Sequence, residues 1–194
     1  MYGIKALATC MLLLPLMACG RQEQEPAATA QPSLEQGAAD VAGAPVEART
    51  VLRNQDGQEV GEAIITQNGE GVVVAINARN LPPGERGLHI HEIGQCDPPA
   101  HQGAGSHFNP EARAQHGLDS PEGGHAGDMR NVEVRSDGTV QATLPNDQVT
   151  LRPGVPNSLL DADGSTVILH ENRDDHTPDA VTGARIACGV ITAS

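Results

Sequence analysis

Histidines dominate the residues of this sequence that could carry out chemistry. Seven of the eight lie between positions 89 and 170. Two of them form the tripeptide His89-Ile90-His91. If this tripeptide lies on a β-strand, residues i and i+2 share a face, so both imidazoles point one way and Ile90 points into the core. Such a pair can hold one metal ion; the alternative is a chance His-x-His on a wet surface.

A second group of ionisable residues follows further along the chain. His107, His116, His125 and Asp128 are separated by 9, 9 and 3 residues. Three imidazoles and one carboxylate complete a tetrahedral set for Zn²⁺ and leave no position for water, as in structural zinc sites. The alternative is a solvated histidine-rich loop. His170 ends a short apolar segment and is either an edge residue or a further ligand.

Four cysteines are present, and only two lie outside the N-terminal segment, Cys96 and Cys188. An even pair in an exported domain favours a disulfide. Closing so long a loop would stabilise the fold by about 4–5 kcal/mol in the chain-entropy model. The alternative, two thiolate metal ligands, is less favoured because histidines are plentiful and the compartment is oxidising.

The composition is acidic and almost free of aromatic side chains. The 194 residues include 12 Lys+Arg, 25 Asp+Glu, one Phe, one Tyr and no Trp, for a net charge of −13. This balance argues against nucleic-acid binding, which needs cations for phosphates and rings for base stacking. No apolar run is long enough for a polytopic membrane protein. The core must be aliphatic, with Phe108 as the one aromatic residue of the mature chain.

Residues 1–18 are interpreted as a lipoprotein signal peptide. Lys5 supplies the positive charge, and the apolar stretch at 7–18 is too short for a bilayer span of about 20 residues. Leu16-Met17-Ala18-Cys19 resembles the bacterial lipobox, in which the cysteine is lipidated and begins the mature chain. The alternative is an ordinary secretory signal. Gly20 after the cysteine favours the outer membrane.

The expected product is therefore a protein anchored in the bacterial periplasm through lipid on Cys19. Residues 19–45, rich in Ala, Gln, Glu and Pro without a period, are expected to form a flexible tether. The remaining 46–194 form one domain large enough for a sound core.

The domain is predicted to be all-β. Asp56-Gly57, Asn68-Gly69 and Asp137-Gly138 accept the positive φ of tight hairpin turns, and their flanks alternate between apolar and polar residues. About eight short antiparallel strands without a sustained helical period predict a Greek-key barrel or sandwich. Two long connections, 94–130 and 171–185, have the length of functional loops. The predicted strands are 46–54, 58–67, 70–79, 87–93, 131–136, 139–144, 165–170 and 186–192.

Five segments in one order resemble the copper/zinc superoxide dismutase family in its bacterial secreted form. These segments are GLHIHEIGQC, GSHFNP, GGHAGDM, LHENRDD and GARIACGVI, and the resemblance covers residues 46–194. It implies one copper and one zinc ion per chain, with the imidazole of His107 shared between them. The implied copper ligands are His89, His91, His107 and His170, and the implied zinc ligands are His107, His116, His125 and Asp128.

The resemblance implies further roles. Cys96 and Cys188 match the family disulfide, Asp174 matches the acid that hydrogen-bonds ligands of both metals, and Arg185 matches the arginine beside copper that orients an anion. The implied activity is dismutation of superoxide to O₂ and H₂O₂ by copper that cycles by one electron, with His107 releasing copper and carrying a proton. Such an enzyme would protect the cell envelope.

Charge marks a departure from the family pattern. Without residues 1–18 the chain has 11 Arg, 25 acidic residues and no Lys, a net charge of −14, although the implied substrate is an anion. Many family members carry Lys and Glu in a longer loop before the arginine, whereas here Asp174 and Arg185 are only 11 residues apart. We therefore expect slower association than in the fastest members, with Arg185 dominating the steering.

Two other classes of protein stay open at this point. One is a non-catalytic copper- or zinc-binding or copper-delivery protein on the same fold, and the other is a structural envelope protein without metal. His101 and His176 match no family position and are expected to be solvated histidines. The protein is expected to be a monomer or a homodimer.

Overall fold

The computed structural model describes residues 46–113, 115–121 and 123–194. The predicted signal peptide at 1–18, the lipidated Cys19 and the tether at 19–45 lie outside the described residues. Within the part that is described, no helix combines the length and the apolar character needed to cross a membrane.

The described residues form an all-β fold, which confirms the predicted fold class. Ten strands make up the regular structure, with a single 3-10 turn at Gln102–Ala104 and no α-helix within the described ranges. The strands are β1 (Glu47–Asn54), β2 (Glu59–Asn68), β3 (Gly71–Ala78), β4 (Gly84–Arg86), β5 (Leu88–His91), β6 (Val132–Val134), β7 (Val140–Asn146), β8 (Thr166–His170), β9 (Arg185–Val190) and β10 (Thr192–Ala193).

The first two predicted hairpins are present. β1 and β2 pair antiparallel around Asp56-Gly57, with Gly57 at φ 76. β2 runs one residue further than predicted, because Asn68 still pairs with Gly71. The two-residue turn therefore begins at Gly69, whose φ of 60 suits a residue without a Cβ.

The third predicted hairpin is only a turn. The chain reverses at Asp137-Gly138, where the Gly138 amide donates to the Arg135 carbonyl at 2.9 Å. The two flanking strands then separate, since β6 pairs with β4 in a two-stranded sheet while β7 pairs with β3. A turn dipeptide sets a local reversal, but it does not decide which partner each strand finds.

The main sheet brings together strands that are distant in sequence. Its order is β5-β8-β9-β1-β2-β3-β7, with β10 also paired to β1, and every strand pair is antiparallel. β1 joins the N-terminal meander to the C-terminal strands β9 and β10. β5 and β8 lie side by side, which places the two predicted ligand strands next to each other.

The core is aliphatic, as predicted. Phe108 is 3% exposed and is the one aromatic residue among the described positions. Burial of each leucine or isoleucine side chain contributes about 1.5–3 kcal/mol. The fully buried aliphatic side chains include Leu52, Ile65, Ile76, Leu88, Ile90, Leu151, Leu159, Ile168 and Leu169.

Candidate metal centre

The His-x-His pair lies on β5, as predicted. His89 and His91 are 0% and 1% exposed, so the wet-surface alternative is wrong. Ile90 between them belongs to the apolar core. The strand alternation thus sends both rings away from the core side and toward the long loop.

Main-chain pairing brings the long loop against β5. Isolated antiparallel bridges join His89 to Asp128 and His91 to His107. The Phe108 amide donates to the Ile90 carbonyl at 2.9 Å, and the Ile90 amide donates to the Gly127 carbonyl at 2.9 Å. A Cβ at Gly127 would overlap the Ile90 carbonyl oxygen, so only glycine permits this close approach. The loop therefore presents residues 107 and 128 beside the histidines of β5.

Four imidazoles form a first cluster. One ligand nitrogen from each lies within 4.8 Å of the others. Nε2 of His91 lies 3.4 Å from Nε2 of His170, which comes from the neighbouring strand β8. The ring centroids of His89 and His107 are 4.0 Å apart. The members are the residues that the resemblance assigns to copper: His89, His91, His107 and His170.

A second cluster surrounds the carboxylate of Asp128. Its Oδ1 lies 2.7 Å from Nδ1 of His107 and 3.0 Å from Nδ1 of His116. Nδ1 of His125 lies 3.8 Å from the same oxygen. The group of potential metal ligands at this position contains His89, His107, His116 and Asp128. Three of the four residues of the predicted zinc set therefore lie in one group, and His125 lies beside it.

Backbone amides orient Asp128. Its Oδ2 accepts hydrogen bonds from the amides of Gly117 at 2.7 Å and His125 at 2.9 Å. This leaves Oδ1 to face the histidine rings. Although burial acts to raise the pKa of Asp128, hydrogen bonds from His107 and His116 hold it well below the ordinary value. The carboxylate is therefore ionised and ready to bind a cation.

Asp174 connects the two clusters through a histidine of each. Its Oδ2 lies 2.7 Å from Nε2 of His89 and 2.8 Å from Nε2 of His116. Asn131 holds the Asp174 main chain through two hydrogen bonds, one donated by its side-chain amide at 2.7 Å and one accepted at 2.9 Å. A carboxylate that accepts from the far nitrogen of a ring fixes which nitrogen faces a metal.

Burial keeps three histidines of the first cluster neutral. It lowers the pKa of His89 to about 4, of His91 to about 2 and of His170 to about 3. His116 differs, because hydrogen bonds to Asp128 and Asp174 outweigh its burial and raise its pKa to about 9. At neutral pH these three histidines therefore offer uncharged imidazoles with free lone pairs.

The donor set fits copper and zinc. Nδ1 of His89 and Nδ1 of His125 are buried without a hydrogen-bond partner among the described residues. A metal ion would satisfy both atoms, because a buried polar atom without any partner is costly. Four imidazoles suit copper, and three imidazoles with a carboxylate suit zinc.

Comparison with known proteins decides the family. A family model described as copper/zinc superoxide dismutase (SODC) matches residues 59–191. The chain belongs to the copper/zinc superoxide dismutase family. A relative from Aquifex aeolicus (strain VF5), named superoxide dismutase (Cu-Zn) 1, is 44% identical over 141 residues, which cover 71% of this chain and 83% of the relative.

Solved structures agree with this assignment. A double mutant of a SOD-like protein from Bacillus subtilis matches with a TM-score of 0.70 and 40% identity, over 73% of this chain and 95% of that one. The Cu/Zn superoxide dismutase from Brucella abortus matches with a TM-score of 0.62 and 25% identity, over 75% and 99% of the two chains.

As in the family pattern, Cys96 and Cys188 form a disulfide, with Cα atoms 5.8 Å apart. The bond attaches the start of the long loop to β9, and Cys188 is completely buried. The thiolate-ligand alternative is therefore wrong.

Arg185 lies beside the first cluster of this superoxide dismutase family member. Its Nη1 donates to the carbonyl of His101 at 2.7 Å and its Nη2 donates to the carbonyl of Gly105 at 2.6 Å. Gly105 also accepts from Nδ1 of His91 at 3.0 Å. An open cavity of about 420 Å³ is lined by His107, Arg185 and other residues of the first cluster.

The expectation that His101 and His176 are solvated is wrong. His101 is 0% exposed, and its ring interacts with the main chain of Asn54. Burial and the charge of Arg185 lower its pKa. The ring of His176 is 12% exposed, and its Nδ1 lies 3.7 Å from Oδ2 of Asp174. Tertiary packing, which a loop composition does not reveal, covers both rings.

Sequence reasoning missed the groups that support the ligands. The carbonyls of His101 and Gly105 hold Arg185. Main-chain contacts of this kind cannot be predicted from residue types, because every residue has a carbonyl. Asn131 holds Asp174, and Thr182 contacts His170 with its hydroxyl at 3.1 Å. For Thr182, the one indication in the sequence was its position three residues before Arg185.

Proposed function

We propose that this family member is an enzyme that dismutes superoxide to O₂ and H₂O₂, with one copper ion in the first cluster and one zinc ion in the second. The observation that carries the proposal is the position of His107. His89 and His107 belong to both groups of potential metal ligands; of the two, His107 directs a ring nitrogen, Nδ1, at Asp128 at 2.7 Å, whereas Nε2 of His89 faces Asp174. One imidazole can therefore join a redox-active ion to an inert one.

Each supporting residue has a separate task. Copper supplies one-electron chemistry that zinc lacks. With Nδ1 of His107 directed at the second cluster, Nε2 is the ring atom that can hold a proton at the cavity and deliver it to a reduced anion. Asp174 keeps the rings of His89 and His116 in the ligand tautomer through the contacts at 2.7 and 2.8 Å.

Arg185 supplies the positive charge at the cavity. Its two terminal nitrogens are held by carbonyl oxygens, so the guanidinium has a defined orientation. Its remaining N–H groups are available to an anion in the cavity. In a chain with a net charge of −13, this local cation is what favours the approach of superoxide.

A second candidate is a non-catalytic metal-binding or copper-delivery protein. The observation that favours it is the similarity to a Bacillus subtilis protein described as SOD-like. Here, however, all four histidines of the first cluster and Arg185 are in place. This complete set supports the enzyme over the carrier.

The deciding experiment loads the protein with copper and zinc, counts both metals per chain and measures superoxide consumption. We expect one ion of each and rapid consumption, with no activity in the same protein loaded with zinc alone. Metal binding at these ratios without superoxide consumption would instead establish the carrier. A protein that binds neither metal would overturn both candidates.

We also propose that the protein is located in the periplasm, anchored by lipid to the outer membrane. The lipobox ending at Cys19 and the tether at 19–45 support it. Mass spectrometry of the mature N-terminal peptide should show a lipid on Cys19, and Cys19→Ser should move the protein from the membrane to the soluble fraction. An unmodified N-terminus that begins elsewhere would contradict the anchor.

A further inference from the structure

Thr182 lines the cavity but has no part in the proposed function so far. Its Oγ1 lies 3.1 Å from Nδ1 of His170. His170 is 4% exposed and is a member of the first cluster, where its other nitrogen, Nε2, faces Nε2 of His91 at 3.4 Å. The threonine hydroxyl therefore contacts a candidate copper ligand on the nitrogen that the cluster does not use.

The main chain holds Thr182 in this place. Beyond the end of β8, the Glu171 amide donates to the Ala184 carbonyl at 2.7 Å, and the Asn172 amide donates to the Thr182 carbonyl at 2.9 Å. The methyl group lies near Gly87, since a Cβ built on that glycine would be 3.4 Å from Cγ2 of Thr182. These main-chain hydrogen bonds hold the segment that brings the hydroxyl to His170.

A neutral imidazole carries its hydrogen on one nitrogen only, and the other nitrogen has the lone pair. Nε2 of His170 can bind a metal ion only if the hydrogen is on Nδ1. A hydroxyl oxygen can accept that hydrogen, and a hydrogen bond at the far nitrogen determines which nitrogen is free.

We propose that Thr182 is a positioning residue whose hydroxyl accepts a hydrogen bond from Nδ1 of His170 and so selects the tautomer in which Nε2 binds the ion of the first cluster. This inference rests on the proposed function. It adds one side chain to the set that orients the ligands.

A rival acceptor is the main-chain carbonyl of Gly183, which also interacts with His170. Substitutions at position 182 leave this carbonyl in the chain, so they isolate the hydroxyl. Thr182→Val keeps the branched shape and removes the oxygen, whereas Thr182→Ser keeps the oxygen and removes the methyl group. Thr177→Val is the matched control, because Thr177 is exposed and its hydroxyl donates to Asp175 at 2.7 Å.

The first measurement uses the metal-free protein at neutral pH. Ring ¹⁵N chemical shifts of His170 report which nitrogen carries the hydrogen. We expect hydrogen on Nδ1 in the wild type, in Thr182→Ser and in Thr177→Val, and a shift toward hydrogen on Nε2 in Thr182→Val. Melting temperatures of all four proteins check that the folds are intact. An unchanged tautomer in Thr182→Val would assign the role to Gly183 and overturn the inference.

The second measurement is copper affinity of the zinc-loaded protein, by competition with a copper chelator. We expect Thr182→Val to bind copper about tenfold more weakly, at the low end for a group that orients a ligand. Thr182→Ser and Thr177→Val should match the wild type. A tautomer change without loss of affinity would also overturn the inference. If the wild type bound no copper, the proposed function would fail as well, whereas copper binding unaffected by Thr182→Val defeats the inference alone.

Discussion

The carboxylate of Asp174 lies 2.7 Å from Nε2 of His89, and both side chains are completely buried. This contact joins the loop after β8 to the strand that carries the His-x-His pair. Burial opposes the negative charge, but hydrogen bonds with His116 and His89 keep the pKa of Asp174 well below the ordinary value. A single ionised carboxylate therefore holds ligands of both clusters.

Replacing this carboxylate by an amide should weaken both metal sites. Asp174→Asn has one acceptor oxygen and a donor that faces ring nitrogens, so the rings of His89 and His116 lose their common partner. We expect copper and zinc affinity to fall by about 10–100-fold, measured by chelator competition. Asp175→Asn is the control, because the adjacent Asp175 is exposed and bonds Thr177. Equal affinities in the two variants would contradict the role of Asp174.

Removing the disulfide should destabilise the metal-free domain strongly. The bond joins residues 92 positions apart, and in the chain-entropy model a loop of this length stabilises by about 4–5 kcal/mol. We expect the double variant Cys96→Ala and Cys188→Ala to lose this amount of unfolding free energy in urea denaturation. The wild type with its disulfide reduced should behave in the same way. A double variant as stable as the oxidised wild type would disprove the prediction.

Reversing the charge of Arg185 should slow the capture of superoxide. Arg185→Glu removes the guanidinium held by His101 and Gly105 and places a like charge at the cavity. We expect the rate to fall about tenfold or more, with an altered dependence on ionic strength. The control is Arg173→Glu, because exposed Arg173 lies in the loop that precedes β9 and pairs with Glu85 at 3.1 Å. The prediction fails if Arg185→Glu leaves rate and salt dependence unchanged.

The stability of the metal-free protein should be greatest near pH 6.5. The lowered pKa values of His89, about 4, and His170, about 3, mean that the unfolded chain binds more protons below pH 6.5, so stability falls as the solution is acidified. His116 acts oppositely: with its pKa raised to about 9, its contribution is complete below pH 6.5 and is lost as the pH rises to about 9.

Urea denaturation of the metal-free protein across pH 4–9 tests this profile. His116→Asn should remove the decline on the alkaline side and leave the acidic side unchanged. A stability that keeps rising from pH 6.5 to 9 in the wild type would show that His116 is not held in its charged form.

Local patterns predicted most of the strands and part of the site. The alternation in β1 and the dipeptide Asp56-Gly57 predicted a hairpin, because side-chain period and turn conformation depend on neighbouring residues. The same reasoning predicted a hairpin at Asp137-Gly138, and this prediction was wrong because β6 and β7 join different sheets. It also missed β4 (Gly84–Arg86), whose pairing with β6 depends on strands far apart in the chain.

The sequence by itself determined the inventory of this protein: an aliphatic all-β domain, a cysteine pair, and the histidines and Asp128 whose order resembles one family. Tertiary structure alone decided how these groups meet. Main-chain pairing of residues 107 and 128 with β5 put His107 in both clusters, and packing buried His101 beneath Arg185. Residue types determine which hydrogen bonds, metal ligands and disulfides are chemically possible. Distances and burial arise only when segments that are distant in the sequence pack together.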